Sequence, residues 1–240
     1  MERLDKILSS QGICSRKEAK SLANKQKIKV NNEIVRRSDI KIDPTSDIIE
    51  VDGRMVEYKQ YVYIMMNKPK GVVSASTDKR EKTVIDLLPE QLKRKDLFPA
   101  GRLDKDTTGL LIITDDGEFA HRMLSPKKKV YKLYEALLDG ELSEQQKDIL
   151  ENGITMNDGT AFKPAKISFP DLGDKTKAHI EICEGKFHQV KKMFAFVGLT
   201  VVELRRLRVG GLFLDGKLKE GECKFLTNFE LSVIFDSENS

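Results

Sequence analysis

The 240-residue chain has no tryptophan and only three cysteines. Cys14, Cys183 and Cys223 are odd in number and far apart, with no CxxC pair and no histidine at ligand spacing, so neither a disulfide scaffold nor a zinc or other metal site is expected. A reducing cytoplasm fits that usage. No window reaches about 18 uncharged apolar residues, and the opening MERLDKILSS interrupts its apolar pattern with charges, which argues against a membrane span or a signal peptide. Without tryptophan the usual sugar-stacking platform is missing, a point against carbohydrate chemistry. What remains, 39% hydrophobic and 33% charged residues with no biased tract, is the composition of a folded globular protein.

The net charge of +4 hides an uneven distribution. Residues 1–41 carry 11 Lys/Arg against 5 Asp/Glu, leaving 31 against 33 for all that follows. A positive surface concentrated in this way is the footprint of a domain that meets phosphates, although lysine-rich helix faces also serve solubility alone. Leu4, Ile7 and Leu8 mark a short amphipathic helix. Ser15 followed by Glu18 has the form of a capping box and predicts a second helix, with Ala19, Leu22 and Ala23 on its core face. Arg16, Lys17, Lys20 and Lys27 gather on the adjoining face. Ile28 to Val35 reads as a hairpin around Asn31-Asn32, and Ile48 to Val56 as another around Asp52-Gly53.

A domain boundary is expected near residue 60, before the apolar run Tyr61 to Met66. Strand signals recur at 110–114, 131–138, 178–183 and 212–214, and helix signals around Phe119 and Met123, at 142–150 and at 187–197. Strands and helices do not alternate regularly. The order favours an α+β fold: a small helix/hairpin domain over 1–60, then a domain over 61–240 on a mixed, largely antiparallel sheet with flanking helices.

The segment Gly101-Arg102-Leu103-Asp104-Lys105-Asp106-Thr107-Thr108-Gly109 sets two carboxylates, two basic groups and two hydroxyls in a turn before a buried strand. Such a turn exposes polar groups while the strand fixes them, which suits catalysis, although Asx and Thr side chains also cap their own backbone. Strand periodicity puts Lys132 and Tyr134 on one face, with Tyr131 on the other. In EGKFHQVKKMFAFVG, Phe187, Val190, Phe194 and Val197 mark a buried helix face with Lys191 beside it. His188 is read as structural or RNA-contacting.

These stretches carry a resemblance over essentially the whole chain. RLDKILSSQGICSRKEAKSLANKQKIKVNNEIV resembles the S4-type RNA-binding domain, and GRLDKDTTGLL is similar to the signature of the RsuA-type branch of pseudouridine synthases. The resemblance implies that Asp104 is the essential carboxylate, that Arg102 stabilises the extruded nucleotide, that Tyr134 stacks on uracil, and that Lys191 pairs with Asp104. A buried carboxylate tends to protonate and an adjacent ammonium keeps it charged, which is the physical case for that pair. VELRRLRVGGL resembles the family's closing motif, with Arg205 where many relatives have His. Arg205, Arg206 and Arg208, with the basic residues of 122–132 and Lys132 among them, are expected to line the RNA path.

The implied reaction isomerises a uridine and involves no redox or group transfer, so no cofactor is expected. The resemblance points to 16S rRNA in an assembling small subunit, modified by a cytoplasmic monomer, with 23S rRNA as the sister target. A noncatalytic S4-domain ribosome-assembly factor would need the basic front but not Asp104. A glycosidase using Asp104 and Asp106 is disfavoured, because carboxylates two apart on a strand-like turn diverge.

Overall fold

A computed structural model describes residues 1–171 and 173–236. Two compact units emerge, one of Met1–Val62 with Pro89–Leu97, the other of Tyr63–Leu88 with the chain from Phe98 onward.

In the first unit β1 (Glu2–Arg3) leads into α1 (Leu4–Ser10), and α2 (Arg16–Asn24) follows. The Ser15 hydroxyl accepts from the Glu18 amide at 3.2 Å while the Ser15 amide donates to the Glu18 carboxylate at 2.7 Å, completing the expected capping box. β2 (Ile28–Val30) and β3 (Glu33–Ile34) form the first hairpin, β4 (Lys41–Ile42) pairs with β1, and β5 (Ile49–Val51) with β6 (Arg54–Met55) forms the second hairpin. Asn31, Asn32, Asp52 and Gly53 all adopt positive φ, as tight turns between strands require. Leu4, Ile7, Leu8, Ala19, Ala23, Ile28 and Ile49 close the core. Arg16, Lys17 and Lys20 stay exposed on α2, as expected. Lys27 does not join them: the helix has ended at Asn24, and its ammonium is spent on Asp52 at 2.7 Å. Residues 89–97 belong to this unit too, Arg94 donating to the Lys59 and Gln60 carbonyls.

The second unit is built on one large sheet. In chain order its elements are β7 (Tyr63–Lys68), β8 (Phe98–Ala100), β9 (Thr108–Thr114), α3 (Gly117–Leu124), β10 (Lys132–Leu138), α4 (Glu144–Glu151), the small hairpin β11 (Ile154–Thr155) and β12 (Ala161–Phe162), β13 (Lys166–Ser168), β14 (Lys177–Ile182), α5 (Gln189–Phe196), β15 (Val201–Val209), β16 (Leu212–Phe213), β17 (Cys223–Phe225) and α6 (Asn228–Ser232). The strand order is β13-β14-β10-β15-β9-β7-β17, with β8 beside β9 and β16 beside β15. Pairing is antiparallel except between β9 and β15. The result is the expected α+β class with a mixed sheet. Met65, Leu110, Ile112, Phe119, Met123 and Val209 supply part of its core.

The parallel pair depends on Gly109. Its φ is +100°, and a Cβ there would lie 2.3 Å from the Arg206 carbonyl oxygen, so only glycine lets β15 approach this closely.

Candidate active site

The turn that carries Asp104 is tied down from beneath. Lys68, at the end of β7, is fully buried, and its ammonium donates to the carbonyls of Pro69 (3.1 Å), Asp104 (3.0 Å), Lys105 (3.4 Å) and Thr107 (2.9 Å). Burial pushes the Lys68 amine down to about 8, offset in part by Asp106 and Asp104, so it stays charged at neutrality. Ser74 clamps Leu103 from both sides: its hydroxyl donates to the Leu103 carbonyl at 2.8 Å and accepts from the Leu103 amide at 3.1 Å. The Gly71 amide adds a bond to the Lys105 carbonyl at 2.7 Å. Neither Lys68 nor Ser74 was among the sequence-derived candidates. The signal was available in YIMMNK, where a lysine ends a strand that opens on an apolar run.

Above this frame the Asp104 carboxylate is partly exposed and lies 3.5 Å from His188 Nε2. The expected pair between Lys191 and Asp104 is not made. Lys191 grips Asp106 instead, with Nζ at 2.6 and 2.5 Å from the two carboxylate oxygens. The two acids diverge on the turn, and α5 meets them at different heights: His188 at its start faces Asp104, while Lys191, almost a turn further on, faces Asp106. That ammonium holds the Asp106 carboxyl below the usual carboxylate range. Arg102 is exposed at the rim.

The opposite wall comes from β10 and β15. Tyr134 and Lys132 share the buried face of β10, as the periodicity predicted. Arg206 is buried as well: Nε donates to the Leu110 carbonyl at 2.7 Å, and the other nitrogens donate at 3.4 Å to the Tyr134 hydroxyl and the Gly101 carbonyl. Arg208 is likewise buried, bonded to the Gly210 carbonyl at 2.7 Å and paired with Glu181 at 2.8 Å. Burial, reinforced by Arg206, pushes the Lys132 amine down to about 8. Lys132, Arg206 and Arg208 therefore do not form an open phosphate-binding surface as expected. They lie on interior strands, where alternation turns them inward. Arg205 points to the other face and lines a separate cavity of about 470 Å³ with Lys70, Asp106 and Glu135.

Two adjoining cavities, of about 70 and 320 Å³, share Arg102, Asp104, Tyr134 and His188 in their walls. Lys191 lines the smaller, and Lys132, Arg206 and Phe187 line the larger. The arrangement can offer one carboxylate to a ligand lying against a buried tyrosine, in surroundings rich in fixed positive charge. Among the described residues no group of three His, Cys, Asp or Glu is placed to hold a metal ion, and no helix is long and apolar enough to cross a membrane.

Known proteins resemble this chain over nearly its whole length. Residues 62–196 match the RNA pseudouridylate synthase model and residues 2–49 the S4 domain model. An uncharacterized RNA pseudouridine synthase of Bacillus subtilis, YtzG, is 44% identical, covering 97% of this chain and 98% of its own. Ribosomal large subunit pseudouridine synthase B of the same organism is 37% identical over 96% and 94%, and ribosomal small subunit pseudouridine synthase A of Yersinia pestis is 38% identical over 97% and 97%. A crystal structure of a pseudouridylate synthase superposes with a TM-score of 0.67 at 33% identity, covering 98% of this chain and all of that one. With an S4 domain in front and a catalytic domain matched over more than half its length, the chain belongs to the RNA pseudouridylate synthase family.

Proposed function

We propose that the protein converts a specific uridine of 16S rRNA, in an assembling small ribosomal subunit, to pseudouridine, acting in the cytoplasm as a monomer with Asp104 as the catalytic carboxylate. The observation that carries this reading is the position of Asp104: it stands on a turn anchored by Lys68 and Ser74, at the mouth of a cavity walled by Tyr134. The C1′–N1 bond of the uridine breaks, the uracil turns over, and C5 bonds to C1′; the C5 proton leaves and N1 ends protonated, so atoms balance without a co-reactant. Asp104 serves either by attacking C1′ or by removing a sugar proton to give a glycal, and both routes need it ionised.

The target must leave its stack, at a cost of roughly a few kcal/mol. Stacking on Tyr134 offsets part of this, and Arg102 at the rim occupies the vacated place. Lys191, held on Asp106, supplies positive potential to the same cavity. Arg16, Lys17 and Lys20 contribute phosphate contacts from the S4 unit.

The 16S assignment rests on the stretches NKPKGVVS, LSPKK and HQVKKMFAFVG. A 23S target is the second reading, favoured by the nearly equal likeness to large subunit synthase B. The test uses naked rRNA and small- and large-subunit particles labelled with tritium at uracil C5. Stoichiometric release from one site of small-subunit RNA, abolished in Asp104→Asn, is the expected result. Release from 23S RNA alone moves the target, and RNA binding without release from any substrate leaves an assembly factor rather than an enzyme.

A further inference from the structure

The turn between β14 and α5 presents Phe187 to solvent, 65% exposed, although its spacing from Val190 and Phe194 predicted burial. The helix begins only at Gln189, and His188 before it takes a left-handed conformation, φ +53° and ψ 33°, which turns Phe187 away from the core. The two rings stack, with centroids 3.8 Å apart and planes 21° from parallel, and His188 faces Asp104. The turn is braced: the Lys186 amide donates to Gln189 Oε1 at 3.0 Å, the Gln189 amide to the Lys186 carbonyl at 3.1 Å, and Gln189 Nε2 to Glu184 at 2.9 Å. Two costs therefore coincide in adjacent residues, a large aromatic left in water and a non-glycine residue at positive φ. Both sit on the wall of the 320 Å³ cavity that contains Asp104.

We propose that Phe187, backed by His188, is a stacking platform for a second nucleobase, that of the nucleotide adjoining the target uridine. The inference rests on the reading of Asp104 as the uridine site. A uridine drawn in to Asp104 brings its chain neighbour to within one nucleotide of this lip, and single-stranded bases stack on exposed aromatic faces whatever their identity. The Lys192 ammonium, 5.4 Å from the Phe187 centroid, keeps the platform electrostatically suited to a polyanion. His188 gives the ring a rigid backing, so little freedom is lost when a base arrives. Phe187 contributes binding and register, whereas Tyr134 lies against the reacting base.

The test takes an rRNA fragment spanning the mapped uridine, with 2-aminopurine placed immediately 5′ or immediately 3′ of it. Wild-type protein should quench the fluorescence at one of the two flanks. Phe187→Leu should lose that quenching and raise KM for the fragment on the order of tenfold, with kcat reduced by no more than about twofold, while Phe187→Trp keeps both. Because the ring is exposed, urea denaturation should be the same for all three proteins. If Phe187 merely orients His188, Phe187→Leu will instead lower kcat and leave KM and quenching as in wild type; that outcome overturns the platform but not the isomerase. No tritium release by wild type from any rRNA overturns both.

Discussion

Lys68 is the residue whose removal tests the physical account of the site most directly. Its ammonium sits among four backbone carbonyls, and burial lowers its folded-state value from 10.5 to about 8. That depression corresponds to about 3 kcal/mol of folding cost for the charged form. In Lys68→Met the cost disappears, but so do the donors. The Asp104 carbonyl keeps the Thr107 amide and the Lys105 carbonyl keeps the Gly71 amide, while the Pro69 and Thr107 carbonyls lose the bonds they accept from Lys68. Leaving these two acceptors short, the Pro69 carbonyl only partly buried, costs about 1–3 kcal/mol apiece, which offsets the relieved charge burial and leaves the variant between about 1 kcal/mol more and about 3 kcal/mol less stable than wild type near pH 7. The sign of the pH dependence follows. Since the folded amine titrates below the unfolded one, wild type carries the full penalty below about pH 8 and sheds it as pH rises toward about 10.5. By about pH 9.5 it has regained about 2 kcal/mol that the methionine variant cannot regain. Lys132, shifted in the same direction, is present in both proteins and cancels. Urea denaturation at about pH 7 and about pH 9.5 measures the difference in stability, which should move in favour of wild type by about 2 kcal/mol. Tritium release should fall on the order of a hundredfold as the Asp104 turn loosens. A difference in stability that is constant with pH, or a variant as active as wild type, would refute the argument.

Arg206→Met should lower stability by about 2–4 kcal/mol, because it strips donors from the Leu110 carbonyl and the Tyr134 hydroxyl inside the sheet; thermal unfolding within about 0.5 kcal/mol of wild type would show that these bonds do not matter. Replacing Arg16, Lys17 and Lys20 together by alanine should leave stability within about 1 kcal/mol. RNA affinity should fall, and the log–log salt slope should become shallower by about 2 if each contacts a phosphate. An unchanged slope in a filter-binding titration would mark them as a solvated face.

The local features of this fold were legible because they depend on neighbours in sequence. Ser15 with Glu18, the Asn31-Asn32 and Asp52-Gly53 turns and the Lys132/Tyr134 alternation all appear as read. At the candidate site the polar turn that carries Asp104 before β9 was legible, whereas the partners of its side chains were not. Nothing in the spacing tells which of two carboxylates, two positions apart, Lys191 will meet. Arg206 and Arg208 read as surface residues because arginine usually is one; their inward turn follows from β15 being an interior strand, a fact of topology. Phe187 misled for a different reason, since a helical spacing was extended through His188, whose backbone is not helical.

The position of β15 also bears on when the protein can become active. The strands β7, β8, β9 and β17 form one flank of the large sheet and β10, β14 and β13 the other, and β15 is the strand that joins them. Asp104 belongs to the first flank and Tyr134 to the second. A chain still being synthesised can pair β7, β8 and β9 on one side and β10, β13 and β14 on the other, but until residues 201–209 have emerged and inserted, the carboxylate and the tyrosine have no shared cavity. The seam closes late in sequence, so a truncated or half-made chain would carry the RNA-gripping unit without the chemistry, able to hold RNA but not to alter it.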